Sequence, residues 1–368
     1  MQAVNELFQP MPVLSESPVV SCYTEWDLLE EVIVGRLEGA VIPEWHASLA
    51  ATMPDHSHDL FKRQGGTSFP EELIALGKKD LEEFVHILEA EGVTVRRPDE
   101  FPHHKGFSSP HWTSKAGVYS AMPRDVMLVL GDEIIEAPMA WRTRYFEIFP
   151  FRQLIQSYFD GGARWTSAPK PQLRDQFFVD DDTGSDDGVF RSIITDAEPT
   201  FDAADFIRFG KDIVGQLSHV TNPSGVRWLR RHLDGRFNIH IAQFNDAHPM
   251  HIDATIMPLA PGKLLTNPER FTDATGLFKH WDLLPAPTPC IPDHHPLYFT
   301  SKWITMNLIS IDEERVLVEK NEESLIRSLK DWGFKPIPCG FRHFNTFGGS
   351  FHCATMDVRR KGSLKRYL

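Results

Sequence analysis

A single cysteine near the C-terminal end of the chain is the first candidate for chemistry. Cys353 closely follows the pair Gly348-Gly349, and two glycines allow a backbone bend that side chains would obstruct. Backbone N–H groups turned toward the sulfur at such a bend would favour the thiolate, which is the nucleophilic form of cysteine. A buried structural cysteine beside a turn is the alternative interpretation, because free cysteine is among the most buried residue types.

A histidine and an aspartate form the second candidate. His251 and Asp253 lie in the string PMHIDAT (249–255), which follows a predicted strand at 237–244. If the chain stays extended, both side chains point to the same face. A histidine can accept and donate a proton near neutral pH, so this one is a candidate general acid and base. A structural pair, or half of a metal site, is the alternative.

Further carboxylates and hydroxyls complete the set of candidates. Asp202 and Asp205 lie in FDAADF (201–206), where carboxylates among apolar residues need partners. Asp202 either caps a following helix or orients a histidine, as carboxylates do in catalytic triads. Asp125 precedes a predicted strand, and Ser301 lies between aromatic residues. Turn chemistry and an ordinary strand-edge hydroxyl are the alternatives for these two residues.

The elements that must position these residues follow a repeated pattern. An apolar helical face, a turn and a short strand recur five times. The helices are predicted at 73–88, 154–159, 226–233, 277–281 and 324–332, each followed by a strand, at 93–95, near 165, at 237–241, at 283–284 and at 334–338. Additional strands fit at 32–34 and 316–318 and in a hairpin at 127–135. The pattern predicts an internal repeat of a β/α unit.

About one candidate falls in each repeat unit: Asp125, Asp202, His251, Ser301 and Cys353. In a closed ring of repeats, equivalent loops converge on one axis, so we predict that these side chains meet in a central pocket. Aspartates around a cysteine and a histidine favour a cation, and a guanidinium pairs with carboxylates through paired N–H donors. Attack on its unreactive carbon needs a strong nucleophile, a fixed geometry and a proton for the departing nitrogen.

The overall composition is that of a globular enzyme, with 368 residues, 41% of them hydrophobic, and a net charge of −13. This charge argues against nucleic-acid and membrane partners, and the basic residues at 359–366 lack the interleaved aromatics of a nucleic-acid groove. Four cysteines without close pairing fit a reducing compartment and give no support for a disulfide framework or a zinc ribbon. No apolar run reaches transmembrane length, and the first residues do not form a signal or transit peptide, so we predict a cytoplasmic protein.

No linker divides the chain into two domains. We predict an irregular N-terminal arm at 1–20 and a single domain at 21–368. Residues 40–70 are predicted to be irregular because histidine, proline and glycine punctuate them. The segment 180–188 is acidic and resembles a calcium-binding loop, but it lacks the terminal glutamate of an EF-hand. We therefore predict an exposed loop.

Seven long strings resemble the arginine amidinotransferases, of which glycine amidinotransferase is the best known. They are EWDLLEEVIVGR (25–36), EGVTVRRPD (91–99), YSAMPRD (119–125), EIIEAPMAWR (133–142), FDAADFIR (201–208), PMHIDAT (249–255) and FHCATMDVRR (351–360). The resemblance covers nearly the whole chain from about residue 21 and implies one amidinotransferase catalytic domain at 21–368. It implies the family's fold, a five-bladed α/β propeller of ββαβ units with pseudo-fivefold symmetry, which agrees with the five predicted repeats.

The resemblance also implies a role for each matching residue. Cys353 would take the amidino group from L-arginine, His251 would be the general acid and base, and Asp202 would hold that histidine. Asp125 and Asp253 would clamp the guanidinium. The amino-acid end of arginine would be held by Arg270, Thr300 and Ser301. Turnover would pass through an amidino-cysteine, release L-ornithine and end on a primary amine, and no metal or organic cofactor is implied.

Three residues near the reactive centre depart from the glycine-specific members of the family. Ser350 replaces a third glycine, Ala354 replaces a bulky aromatic after the cysteine, and His248 replaces an asparagine. A smaller residue beside Cys353 would leave room for a larger acceptor, such as lysine, an amino sugar or cyclitol, or an amine of a natural-product pathway. Substitution without effect on the acceptor is the alternative. Members of the family are often dimers, which makes a homodimer an option.

Three other functions use the same residues. A hydrolase of the same superfamily, such as an arginine deiminase or dihydrolase, would share the nucleophile and clamp but use water as the acceptor. A metal-dependent enzyme would use His251, Asp253, Cys353 and His352. A non-catalytic arginine- or amine-binding protein would need the carboxylates but not the cysteine. The resemblance favours the transferase over all three.

Overall fold

The protein has a mixed α/β fold, as predicted, in a computed structural model that describes residues 18–179 and 189–368. In these two stretches, fifteen strands form five three-stranded sheets, and a small additional sheet pairs β3 (Phe107–Ser108) with β4 (Thr113–Ser114). The acidic segment 180–188 and most of the arm predicted at 1–20 lie outside the described residues.

The five three-stranded sheets share one topology. In chain order, four of them contain β5 Met127–Leu130, β6 Glu133–Glu136 and β7 Arg164–Ser167; β8 Phe206–Phe209, β9 Asp212–Gly215 and β10 Asn238–Ile241; β11 Ile256–Ala260, β12 Lys263–Thr266 and β13 Asp282–Pro285; and β14 Ile309–Ser310, β15 Arg315–Glu319 and β16 Lys335–Cys339. In each, the central strand pairs antiparallel with the strand before it and parallel with the strand after it. The repeat predicted from the sequence is therefore present as a repeated sheet.

The remaining sheet joins the two ends of the chain. Its central strand β1 (Leu28–Val34) pairs antiparallel with β17 (Thr355–Lys361) and parallel with β2 (Thr94–Arg96). The register places Val34 opposite Thr355, and the N–H of Gly35 donates to the carbonyl of Ala354 at 2.9 Å. This pairing fixes the segment that carries Cys353 against the N-terminal part of the chain.

Helices fill four of the five connections between parallel strands: Glu71–Ala90, Arg152–Asp160, Pro223–His232 and Glu323–Asp331. All four were predicted from their apolar periodicity; the longest turns Leu81, Phe84 and Leu88 into the core. Gly92 and Gly333 follow two of the helices with φ of 86° and 96°, a left-handed conformation that glycine adopts without steric cost. None of the described helices is both long and apolar enough to cross a membrane.

The helix predicted at 277–281 is wrong. The chain between β12 and β13 forms turns, in which the N–H of Phe278 donates to Asp273 Oδ2 at 3.0 Å and the N–H of Trp281 to the carbonyl of Phe278 at 2.8 Å. The five residues after Gly276, only three of them apolar, are too few to offset the cost of nucleating a helix. The strand predicted to follow at 283–284 is present as β13.

Two other sequence predictions need correction. Residues 40–70 were predicted to be irregular, but they contain the helices Ala47–Thr52 and His58–Gln64, and the His46 ring caps the first by accepting from the N–H of Ser48 at 3.2 Å. The hairpins β8–β9 and β11–β12 were not predicted. Nearly all their residues are buried, so the sequence lacks the apolar–polar alternation that reveals a half-exposed strand.

In each three-stranded sheet, a short turn precedes the strand that pairs antiparallel with the central strand: Pro123–Val126, Ala203–Asp205, Ile252–Ala254, Lys302–Met306 and the turn at 351–354. The first four contact one another in chain order. Asn307, directly after the fourth turn, accepts the N–H of Cys353 at 2.9 Å, and Arg124 in the first turn donates to the carbonyl of His352 at 3.3 Å. The five turns therefore form a closed ring, which brings the candidate residues together.

Candidate active site

A cavity of about 370 Å³ is lined by residues from four of these five turns. The predicted site residues that line it are Asp125, His248, His251, Asp253, Arg270, Thr300, Ser301 and Cys353. Asp202 lies behind His251, whereas Ser350 and Ala354 are buried and do not line the cavity. The candidates that the sequence spreads over more than two hundred residues thus share one chamber.

Close packing around the two glycines explains how Cys353 is presented. A side chain at Gly348, whose φ is 91°, would lie 2.5 Å from Phe299 Cβ, and one at Gly349 would lie 2.4 Å from Met122 Sδ and 2.8 Å from Cys353 Cβ. Only glycine fits both positions without moving the cysteine. Asn307, which sequence reasoning missed, holds the Cys353 backbone from the other side.

The environment of the sulfur differs from the one expected. Cys353 Sγ lies 3.5 Å from Asp253 Oδ2, so a carboxylate is a close partner of the sulfur, and a backbone hydrogen bond from Ser350 is the expected contact that favours the thiolate. Burial raises the pKa of the Cys353 thiol well above its usual value, and the charges of Asp253 and Asp125 raise it further. These surroundings favour the thiol form of Cys353, and a bound cation would be needed to favour the thiolate.

His251 lies in a strained turn beside two carboxylates. Its φ is 59°, and a 3₁₀ helix (Ile252–Ala254) follows it, so the extended geometry expected for His251 and Asp253 is wrong although both line the cavity. Its Nε2 lies 3.1 Å from Asp202 Oδ2 and its Nδ1 lies 3.6 Å from Asp125 Oδ1. Burial lowers the pKa of His251, but the charges of Asp125 and Asp202 outweigh burial and raise the pKa to about 10. An imidazolium therefore faces the cavity at neutral pH.

Arg144 is a buried site residue that the sequence did not reveal. Its Nη1 lies 2.9 Å from Asp125 Oδ2 and 3.8 Å from Asp202 Oδ2, and its Nε donates to Glu147 Oε2 at 2.6 Å. One guanidinium thus serves three carboxylates. Burial raises the pKa of Asp125 above its usual value, although His251 and Arg144 oppose the rise. No local spacing signals this contact, because Arg144 lies two residues beyond the nearest of the recognised strings.

The opposite clamp residue, Asp253, has a different partner. His352 Nδ1 lies 2.7 Å from Asp253 Oδ2, and its Nε2 lies 3.2 Å from Glu25 Oε2. Burial would raise the pKa of Asp253, but the hydrogen bond and charge of His352 outweigh burial and hold it below its usual value.

Within the described residues, no cluster of three or more His, Cys, Asp or Glu side chains is arranged to hold a metal ion.

The remaining predicted residues occupy less buried parts of the lining. Arg270 Nη1 pairs with Asp246 Oδ2 at 3.3 Å, and Thr300 and Ser301 are partly buried. His248 is exposed, and its Nδ1 lies 3.0 Å from the carbonyl of Ala51. That carbonyl belongs to the helix Ala47–Thr52, so the segment predicted to be irregular covers part of the cavity.

Comparison with known proteins identifies the family, although no protein-family model matches the chain. L-arginine:L-lysine amidinotransferase from Pseudomonas savastanoi pv. phaseolicola is 54% identical over 359 residues, which are 96% of this chain and 98% of that protein. Mitochondrial glycine amidinotransferase from Danio rerio is 45% identical over 368 residues, 98% of this chain and 87% of that protein. The chain belongs to the amidinotransferase family.

Solved structures agree with this assignment. The amidinotransferase SxtG from Microseira wollei, of the saxitoxin biosynthetic pathway, superposes with a TM-score of 0.91 at 48% identity, over 95% of this chain and 99% of that one. A dimethylarginine dimethylaminohydrolase superposes with a TM-score of 0.56 at 14% identity, over 89% of this chain and 99% of that one. The second likeness shows a shared fold alone.

Proposed function

We propose that this amidinotransferase moves the amidino group of L-arginine through an amidino-cysteine on Cys353 to a primary amine, releasing L-ornithine. The observation that carries the proposal is the presence of Cys353, His251, Asp125 and Asp253 around one cavity. The relative that is 54% identical is named for L-arginine as a substrate, which supports arginine as the donor.

Arginine binding uses a carboxylate oxygen that has no hydrogen bond within the protein. Asp125 Oδ1 is buried and has no hydrogen-bond partner among the described residues, so it is available to a guanidinium N–H. Asp253 lies beside the sulfur, so a guanidinium between the two carboxylates places its carbon near Cys353. The amino-acid end of the substrate is held by Arg270, Thr300 and Ser301, which line the same cavity.

The substrate itself activates the nucleophile. The negative charges of Asp253 and Asp125 contribute to the raised pKa of the thiol, and a guanidinium bound between them offsets both charges. The thiolate forms a bond from sulfur to the guanidinium carbon, and the bond from that carbon to the arginine Nε breaks. Activation of Cys353 therefore depends on the bound cation.

Protons balance in each half of the reaction. The thiol proton and the Nδ1 proton of the His251 imidazolium leave with ornithine as its ammonium group, which leaves neutral His251 and an amidinium on sulfur. An incoming ammonium then returns one proton to His251 and one to the sulfur as the new carbon–nitrogen bond forms and the carbon–sulfur bond breaks. Asp202 orients the imidazole in both halves.

The acceptor is a primary amine that enters the chamber ornithine has left. Glycine, lysine and a natural-product amine remain the candidates. His248 lines the cavity and is the specificity residue that an acceptor would touch. Ser350 and Ala354 are buried outside the lining, so an effect on the acceptor would have to pass through the position of Cys353.

We also propose that the five three-stranded sheets are the blades of a five-bladed α/β propeller with pseudo-fivefold symmetry. Their common strand order and the closed ring of turns support this arrangement. Residues 21–368 would form one catalytic domain. A cytoplasmic location and a homodimer complete the proposal, and light scattering of the purified protein tests the second of these.

The test is a panel of amines incubated with L-arginine. We expect ornithine release to depend on the added amine, with a guanidinylated amine as the second product. If ornithine or citrulline forms at the same rate in water alone, the protein is a hydrolase and the transfer proposal fails. A chelator is included, and loss of activity that zinc restores would favour the metal-dependent alternative.

Mass spectrometry of the protein tests the covalent step. Incubation with arginine, without an acceptor, is expected to add one amidino group at Cys353, and Cys353→Ala is expected to remain unmodified. Cys290→Ala is the matched control, because Cys290 is exposed and lies outside the cavity. An unmodified wild-type protein would favour simple arginine binding.

A further inference from the structure

We propose that His352 is a positioning residue: an imidazolium fixed between Asp253 and Glu25 keeps Asp253 ionised and aimed at the place of the guanidinium. The inference rests on the proposed function, because it assigns a second histidine to the arginine clamp. It separates the two histidines, since His251 moves protons whereas His352 keeps both of its own.

Both ring nitrogens of His352 face carboxylates. Nδ1 lies 2.7 Å from Asp253 Oδ2 and Nε2 lies 3.2 Å from Glu25 Oε2, and the residue is only 2% exposed. A neutral imidazole donates from one nitrogen and accepts at the other, so one of these contacts would set a lone pair against a carboxylate. Two donors require the imidazolium.

The carboxylates do not remove this proton, because each has further support. Arg208 Nε donates to Glu25 Oε1 at 2.8 Å, and Arg124 Nη1 lies 3.6 Å from Glu25 Oε2. Burial raises the pKa of Glu25, but Arg208 and the His352 hydrogen bond outweigh burial, and the pKa lies well below its usual value. Asp253 likewise stays ionised, as described above.

The charged and titratable groups that surround the pair come from every neighbouring element. They are Glu25, Arg124, Asp125, Arg208, His251, Cys353, Asp357 and Arg360. Four of these groups contact one another in series and alternate in charge: Arg208, Glu25, His352 and Asp253. The bound guanidinium would be the next cation in this series. The series runs from the buried Arg208 to Asp253, which lines the cavity.

Asp125 shows why a dedicated cation matters. It is as buried as Asp253, but both of its cations are shared: Arg144 also pairs with Glu147 and Asp202, and His251 also pairs with Asp202. Two ionised carboxylates that face one cavity repel each other, and one of them tends to take up a proton. His352 keeps Asp253 ionised, so at least one of the two clamp carboxylates is charged when arginine binds.

The experiment measures arginine affinity by calorimetry across pH in a Cys353→Ala background, with and without His352→Asn. Asparagine can still donate one hydrogen bond to Asp253 but carries no charge. We expect the acidic limb of binding to move upward by about 1–3 pH units, the shift typical of losing a nearby opposite charge. Below neutral pH, affinity falls about 10- to 100-fold, with a smaller loss at alkaline pH. An unchanged limb would overturn the proposal.

The control is His240→Asn in the same background. His240 Nε2 contacts Asp212 Oδ1 at 2.9 Å, so this variant also breaks a histidine–aspartate pair, but neither residue lines the cavity. We expect no movement of the acidic limb. A purely structural role for His352 would lower the amount of folded protein without moving the limb, and this outcome counts against the proposal.

A second measurement needs neither arginine nor a folded variant. Nitrogen-15 NMR of histidine-labelled wild-type protein reports whether both ring nitrogens carry protons, and His352 is assigned through the His352-Cys353 step, the one His-Cys pair in the sequence. Two protonated nitrogens at neutral pH are expected, and a neutral tautomer would overturn the inference. If wild-type protein shows no arginine-dependent chemistry, the proposed function fails while this measurement still decides the state of His352.

Discussion

Two clusters of buried charged groups each contribute one carboxylate to the cavity, and their balance of charge differs. The Arg144 cluster contains Arg144, His251, Asp125, Glu147, Asp202 and Asp205. The Arg208 cluster contains Arg124, Arg208, Arg360, His352, Glu25, Asp253 and Asp357. The first has four carboxylates for one arginine, and the second has three carboxylates for three arginines.

The pKa shifts follow this balance. In the Arg144 cluster, burial prevails: the pKa of Asp125 is raised, and those of Glu147 and Asp205 are raised to about 7 and about 6. In the Arg208 cluster, arginines and His352 outweigh burial, and the pKa values of Glu25, Asp253 and Asp357 are lowered. The comparison indicates a division of labour. The Arg144 cluster takes up protons and completes its charge with a bound cation, whereas the Arg208 cluster is a fixed ionic core.

The largest expected effect comes from Asp202→Asn in the Arg144 cluster. Asp202 helps raise the pKa of His251 to about 10, so its loss moves that pKa toward neutrality. The imidazolium is the acid for the leaving nitrogen, so activity is lost as pH rises through its pKa. We expect the basic limb of kcat/KM for arginine to fall from near 10, and turnover to drop by about 10²–10⁴-fold, the usual contribution of acid–base catalysis. A limb that stays in place would contradict the pairing.

Arg208→Met tests whether the second cluster is a fixed ionic core. The variant leaves Glu25 and Asp357 buried without their shared guanidinium, and we expect unfolding free energy to fall by about 3–5 kcal/mol. Urea unfolding measures the loss. The control is Arg227→Met, whose partner Asp196 is exposed, so the expected loss is only about 0–1 kcal/mol. Equal losses in the two variants would remove the distinction between core and surface pairs.

A matched pair of clamp variants sharpens the comparison further. Both variants are made in the Cys353→Ala background, which should still bind arginine. Asp253→Asn removes a carboxylate that stays ionised at both acidic and neutral pH. We expect about 10- to 100-fold weaker binding, because a charge-assisted contact is lost. Asp125→Asn should weaken arginine binding less than Asp253→Asn does, because Asp125 takes up a proton more readily. The effect of Asp125→Asn should be smallest at acidic pH. Calorimetry at two pH values measures both, and a larger acid-side loss for Asp125→Asn would reverse the assignment.

Local sequence patterns predicted the elements better than the contacts between them. Helix Glu71–Ala90 and the hairpin at Met127–Glu136 carry their own periodicity and turn signals, so they were found. The hairpin β8–β9 was missed because its residues, Arg208 included, are buried on both faces. The short helix predicted at 277–281 failed because five residues do not specify a helix without support from packing.

For the site, the sequence supplied the residue types but not their charge partners. The spacing of one polar residue in each repeat was enough to bring Asp125 and Cys353 to one predicted pocket, and both line the cavity. The contact of His352 with Glu25 spans 327 positions and that of Arg208 with Glu25 spans 183. Such partners follow from the closed ring of turns, which a single sequence does not encode as a local pattern.

Glu147 tests directly whether the Arg144 cluster is short of positive charge. Burial raises its pKa to about 7, although Arg144 opposes the rise. A raised pKa in the folded state means that this group contributes stability below the unfolded value of 4.5, and the contribution is lost as pH rises through about 7.

Glutamine mimics the protonated form of Glu147 at every pH. We therefore expect Glu147→Gln to flatten the pH dependence of unfolding free energy in this window, by about 3 kcal/mol. Urea unfolding across the window measures this slope, with Glu314→Gln, an exposed carboxylate paired with Lys335, as the control. If the slope of Glu147→Gln matches that of the wild type, Glu147 is ionised in the folded protein, and the Arg144 cluster is not short of positive charge.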